Sequence, residues 1–153
     1  MTTNNTGVKS HSISPTLSTT VRVQVRFSEV DSLRIVWHGN YLKYMEDARE
    51  AFGHTFGLEY MYMYNQGFLA PMYDIKMKYI GPATTDDTLL VTITYRPARG
   101  AKVIFGYEIR RESDNTLLFT AETTQLFTTH EGEFVLSCPD FLAEWKKKHN
   151  ICL

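Results

Sequence analysis

Cysteine is scarce in this chain of 153 residues: Cys138 and Cys152 are the two present, in no Cys-x-x-Cys pair and in no dense framework. That excludes a disulfide-stapled secreted domain and fits reduced thiols in a cytoplasmic protein. Long apolar runs are also missing, and none approaches the roughly 20 residues needed to cross a bilayer. The opening MTTNNTGVKSHSISPTLSTT lacks the apolar centre of a signal peptide, and the closing Ile-Cys-Leu has no lipidation or peroxisomal pattern. No membrane association is expected. A basic surplus is absent as well, with a formal net charge of -1 and a pI near 6.5, so nucleic acid is not an expected partner. The histidines at 11, 38, 54, 130 and 149 form no His-x-x-His or His-x-x-x-His pair, and no metal is expected. Gly-x-Ser-x-Gly, a phosphate-binding Gly loop and a dinucleotide fingerprint are likewise missing, and no cofactor is expected.

What is present is a chain 43% apolar and 13% aromatic, enough for one core and too short for two. Residues 1–20, mostly Ser, Thr and Asn, read as a flexible tail, and residues 21–149 as a single domain. From Val21 the pattern alternates, with Val21, Val23, Val25 and Phe27 on one side and Arg22, Gln24, Arg26 and Ser28 on the other. Between Tyr41 and Phe56 the period lengthens: Tyr41, Met45, Ala48, Phe52 and Phe56 form an apolar stripe, Lys43–Asp47 and Glu46–Arg49 can pair outside it, and Gly57 is the stop signal. A Tyr- and Met-rich connection follows. Four more extended segments come next, over 72–80, 88–96, 101–111 and 116–129, with turns at Arg99-Gly100 and Asp114-Asn115. Pro139 at a first helical position, then Phe141, Leu142 and Trp145, reads as a closing helix. The sum is an α+β fold, a curled antiparallel sheet of about five strands around one long helix. Such a sheet leaves edges open, and a homodimer or homotetramer is expected.

The stretch DSLRIVWHGNY supplies a more specific signal: Asp31, a short turn, the apolar pair Ile35-Val36, the cluster Trp37-His38, Gly39, and Asn40-Tyr41 opening the helix. A second stretch, Tyr79-Ile80-Gly81-Pro82-Ala83 with Asp87-Thr88-Leu89, accompanies it. Together they resemble the hotdog-fold thioesterases, and more narrowly the 4-hydroxybenzoyl-CoA thioesterase family, over about Val21 to Trp145. One position departs. Arg34 stands where that family usually has a small residue, often glycine.

The resemblance implies an acyl-CoA thioesterase with Asp31 and His38 as its catalytic positions, His38 through its backbone N–H. The chemistry is consistent with the residues. A helix start presents N–H donors without internal partners and partial positive charge, which stabilise the oxyanion growing on a thioester carbonyl. A carboxylate beside it can attack the carbonyl or take a proton from water, and a thiolate, with a pKa of about 8.5, leaves without a strong acid. Trp37, Asn40 and Tyr41 are assigned as substrate-contacting positions, against core packing for Trp37 and helix capping for Asn40. Arg99 and Lys102, on a basic turn, are assigned to the phosphates of coenzyme A, against a merely solvated turn. Two alternatives stay open: an acyl carrier protein in place of CoA, or a non-catalytic acyl-group binder in which Arg34 neutralises Asp31.

Overall fold

The computed structural model describes residues 14–152. The first thirteen positions of the expected tail lie outside these. The first strand, β1 (Ser18–Gln24), begins three residues before the apolar alternation does. Polar composition hides this start because the outer side of the strand is a hydroxyl ladder. Ser18 faces Thr94 at 3.1 Å and Thr20 faces Thr92 at 2.8 Å, both across the ladder with β4 (Thr88–Arg96). β1 stops where β4 runs out of partners, with a last bond from Val25 N–H to Asp87 O at 3.1 Å. There the Glu29 carboxylate accepts the Arg26 N–H at 2.8 Å and turns the chain into one 3-10 turn, Phe27–Glu29. Phe27 is therefore 87% exposed, not on the inner side of a continuing strand as the alternation suggests.

The remaining long strands are β3 (Met72–Tyr79), β5 (Lys102–Arg111) and β6 (Leu117–Leu126). With β1 and β4 they form one antiparallel sheet in the order β1-β4-β5-β6-β3, so β1 and β3 are its edges. Alternate residues, Leu89, Val91, Ile93 and Tyr95 on β4 and Val103, Phe105, Tyr107 and Ile109 on β5, are buried on one face. Across that face packs the long helix α1 (Tyr41–Phe56) through Tyr44, Met45, Ala48 and Phe52. Burial of side chains of this size, at about 1.5 to 3 kcal/mol each, outweighs the surface pairing of Glu46 with Arg49, and Lys43 and Asp47 form no ion pair. The Tyr95 hydroxyl is buried there without a hydrogen-bond partner. Gly57 ends α1 at φ 81°, its N–H donating to Gly53 O at 2.8 Å.

The Tyr- and Met-rich connection contains a short helix, α2 (Tyr60–Asn65). The last extended segment is broken at buried Phe127, whose N–H donates to Ala101 O. After it, β7 (Thr128–Thr129) leaves the main sheet and pairs with β2 (Phe68–Leu69). The closing helix α3 (Asp140–Lys148) has Pro139 at its N-cap, one place earlier than the first helical position. α3 grips the far end of α1: Trp145 Nε1–H at 2.6 Å and the His149 ring at 3.1 Å both reach the carbonyl of Phe56. Among the described residues no helix is long and apolar enough to cross a membrane.

Candidate active site

The segment between β1 and α1 folds back on itself before the helix starts. Val30 and Val36 form an antiparallel bridge, and between them Asp31 N–H donates to Ile35 O at 2.9 Å and Arg34 N–H to Asp31 O at 2.9 Å. Closing so tight a loop puts Arg34 in the left-handed region, at φ 62°. This is the physical reason a small residue suits the position, since an L side chain there costs about 1 to 2 kcal/mol. Arg34 is exposed and forms no ion pair with Asp31, so the structure contains no neutralising contact of the kind the binder alternative requires.

Asp31 is half-buried at the loop's base. Its Oδ1 accepts the Leu33 N–H at 2.8 Å, a turn-forming bond that fixes the carboxylate and leaves Oδ2 without an intramolecular donor among the described residues. The loop is tied to the helix start through Glu29, whose carbonyl accepts both Trp37 N–H at 2.9 Å and Asn40 Nδ2–H at 2.8 Å. Asn40, 7% exposed, sits at the N-cap of α1 but does not cap it with its side chain. The amide instead straps the helix start to the Asp31 loop, in place of the capping bond weighed from sequence.

His38, Gly39 and Asn40 form a 3-10 turn leading into α1. The N–H groups of His38 and Gly39 find no acceptor among the described residues, whereas that of Asn40 donates to Trp37 O. Two donors are thus available at this end of the helix. The His38 ring is exposed and lies 4.8 Å from the Trp37 indole. Trp37, 48% exposed, folds over Gly39, where a Cβ would fall 2.1 Å from the ring. Trp37 is therefore surface wall and not core. Tyr41 is core, 3% exposed, stacked on Phe119 at 4.7 Å and edge-on to Tyr79 at 5.1 Å. Burial, followed by Tyr79 and Asp87, raises its phenol pKa, and burial raises that of Tyr79. Both phenols stay neutral donors.

Three supports were not readable as site residues: Glu29, Tyr79 and Ala83. The Tyr79 hydroxyl donates to His38 O at 2.6 Å, and Ala83 O accepts Val36 N–H at 2.8 Å. The stretch from Tyr79 to Leu89 is a shelf under the loop, itself braced by Asp87. That carboxylate accepts Thr84 N–H at 2.9 Å and Arg111 Nε–H at 3.1 Å, and Arg111 also reaches Pro82 O. Arg99 and Lys102 are not gathered here. They lie at the β4–β5 turn, whereas the Asp31 loop bonds through Val36 N–H to Ala83 O, near the opposite ends of the same strands.

Fold and site together define an α+β domain of the hotdog type, with a loop carboxylate at the start of its central helix. A family model described as the thioesterase-like superfamily matches residues 25–146, and the chain belongs to that superfamily. Among curated proteins it is similar to "Putative acyl-CoA thioesterase YneP" of Bacillus subtilis (strain 168), 36% identical over 87 residues, 57% of this chain and 63% of that protein's length. It is also similar to "Putative esterase" of Aquifex aeolicus (strain VF5), 30% identical over 91 residues, 60% of this chain and 71% of that protein. Among solved structures, the 1,4-dihydroxy-2-naphthoyl-CoA thioesterase Slr0204 from Synechocystis has a TM-score of 0.75 at 23% identity, covering 88% of this chain and 96% of the other. A 4-hydroxybenzoyl CoA thioesterase mutant has a TM-score of 0.74 at 19% identity, covering 84% and 98%. At these identities the likeness establishes the fold.

Proposed function

We propose that the protein hydrolyses acyl-CoA thioesters to the free acid and CoA. One observation carries this reading: two N–H donors without partners among the described residues, on His38 and Gly39, stand in the 3-10 turn that leads into the central helix, to which the Asp31 loop is strapped. A thioester carbonyl directed at those donors gains stabilisation as charge grows on its oxygen, roughly 2.7 to 4 kcal/mol for one such donor. The Asp31 carboxylate either bonds to the carbonyl carbon, expelling CoA thiolate and leaving an anhydride for water to cleave, or removes a proton from the attacking water. Either route delivers the oxygen to carbon and the electron pair to sulfur.

The free edge of β3 suits a homo-oligomer. If two copies pair β3 antiparallel across a twofold axis, the strands run on as one sheet with opposite polarity. The β4–β5 turn of the second copy, with its Arg99 and Lys102, then faces the same end of the sheet as Asp31. This is how residues far apart in one chain are able to serve one substrate.

The test is release of CoA thiol by purified protein and by Asp31→Asn. We expect turnover in the parent and a loss of at least about a hundredfold in kcat in the variant, within the range of a positioned acid–base group. Equal rates in the two proteins would remove Asp31 from the reaction. Matched carrier-protein thioesters in the same assay distinguish the two thiol carriers.

A further inference from the structure

α1 lies nearest β1 and β4, and along its other flank a cavity of about 780 Å³ opens between the helix and the strands β3 and β5. Its lining begins at Leu42, one turn after His38, and continues past His54, which is roughly 18 Å along a helix axis, to Leu58 and Met61. β3 leads the same way, since Ile75 lines the cavity and Tyr79, on the same face of that strand, holds the His38 carbonyl. The floor is Phe52, Leu58, Val103 and Phe105, none more than 7% exposed. Gln125 brings a polar group there, and one of its two amide N–H groups donates to Ala70 O at 2.6 Å. Charge is held at the lip, where Glu46 pairs with Arg49 and His54 lies between Glu50 at 3.7 Å and Glu59 at 3.3 Å.

Size, shape and chemistry narrow the occupant. The volume is toward the upper part of the range for small-molecule sites. A floor that is apolar along its length, with Met63 and Met72 among its adaptable walls, suits a flexible hydrocarbon. We propose that this groove receives the hydrocarbon of long apolar acyl chains, so that the enzyme selects long-chain thioesters over short or hydroxy-aromatic ones. The proposal rests on the thioesterase reading above and deepens it.

The experiment measures kcat/KM of the full-length protein for acetyl-, hexanoyl-, decanoyl-, palmitoyl- and 4-hydroxybenzoyl-CoA. In parallel, affinity for the corresponding free fatty acids is read by displacement of a fluorescent fatty acid. Catalytic efficiency and affinity should both climb, by roughly tenfold for every two methylenes, until the groove is full. Met61→Trp, at a residue 57% exposed and so tolerant of replacement, should lower the palmitoyl-to-hexanoyl ratio of kcat/KM at least tenfold. Turnover with no dependence on chain length, or a preference for 4-hydroxybenzoyl-CoA, overturns the groove and leaves the hydrolase reading standing; a groove filled by a second copy gives that flat profile. Affinity that climbs with chain length in a protein that cleaves none of the thioesters upholds the groove and overturns hydrolysis. Absence of both turnover and affinity overturns the two together.

Discussion

Replacing Asn40 by aspartate removes one donor and almost no volume, which isolates the strap between Glu29 and the helix start. The amide bond to Glu29 O is 2.8 Å long and its residue only 7% exposed. Its loss alone costs about 1 kcal/mol, because the Glu29 carbonyl keeps its second bond from Trp37 N–H. The larger effect is electrostatic. An ionised carboxylate in this buried position is poorly hydrated and repelled by the carbonyl it faces, whereas a protonated one can donate in the amide's place. The introduced carboxyl thus has a folded-state pKa above its unfolded value of about 3.9. Below that value both states hold the proton and the variant approaches the parent. As pH rises, the unfolded chain ionises first and stability is lost at about 1.4 kcal/mol per pH unit, up to at most about 4 kcal/mol at pH 7. Urea unfolding of both proteins at intervals from pH 4 to 7.5 reads this difference directly. A gap that stays constant with pH, or one below about 0.5 kcal/mol at neutrality, refutes the strap.

Arg34→Gly should raise stability by up to about 1 kcal/mol, the relief of a left-handed side chain less the greater freedom of glycine in the unfolded chain; a lower urea midpoint would mean that the arginine side chain holds the loop. Tyr95→Phe removes a hydroxyl that is buried without a partner and should stabilise the fold by about 1 kcal/mol. Burial pushes the Tyr95 phenol up to about 12, so its stabilising share is whole below an unfolded pKa near 10 and is lost as pH rises toward 12. Circular dichroism melts across that window should therefore fall less steeply in the variant, and identical slopes would exclude Tyr95 as a source of alkaline lability.

Most of the architecture was legible because it depends on local period. The stripe from Tyr41 to Phe56 marks α1 with both bounds, and alternation finds β3, β4 and β5 to within a residue or so. Reading failed where partners decide. Tyr60, Met61, Tyr62, Met63 and Tyr64 show no clear period because only Met63 is buried, so α2 was invisible. Ser18 to Thr20 look like tail until their hydroxyl partners on β4 are known. At the site, the DSLRIVWHGNY pattern located the loop, but not the work of each residue in it. No spacing rule links Asn40 to the carbonyl of Glu29, or the hydroxyl of Tyr79 to that of His38, 41 positions away. Nor does spacing alone show that the turn carrying Arg99 and Lys102 lies at the other end of its strands from the Asp31 loop.

The two bonds that Trp145 and His149 make to the Phe56 carbonyl bear on how the molecule is born. Trp145 leaves the ribosome 89 residues after its acceptor. Domains tend to organise from the amino terminus during synthesis, and here the front of the central helix emerges well before the clasp for its rear. Until that clasp arrives, the last turn of the helix is finished by the Gly57 and Leu58 N–H groups, which both donate to Gly53 O. The rear of α1 is thereby completed only after a further 89 residues of chain have been made.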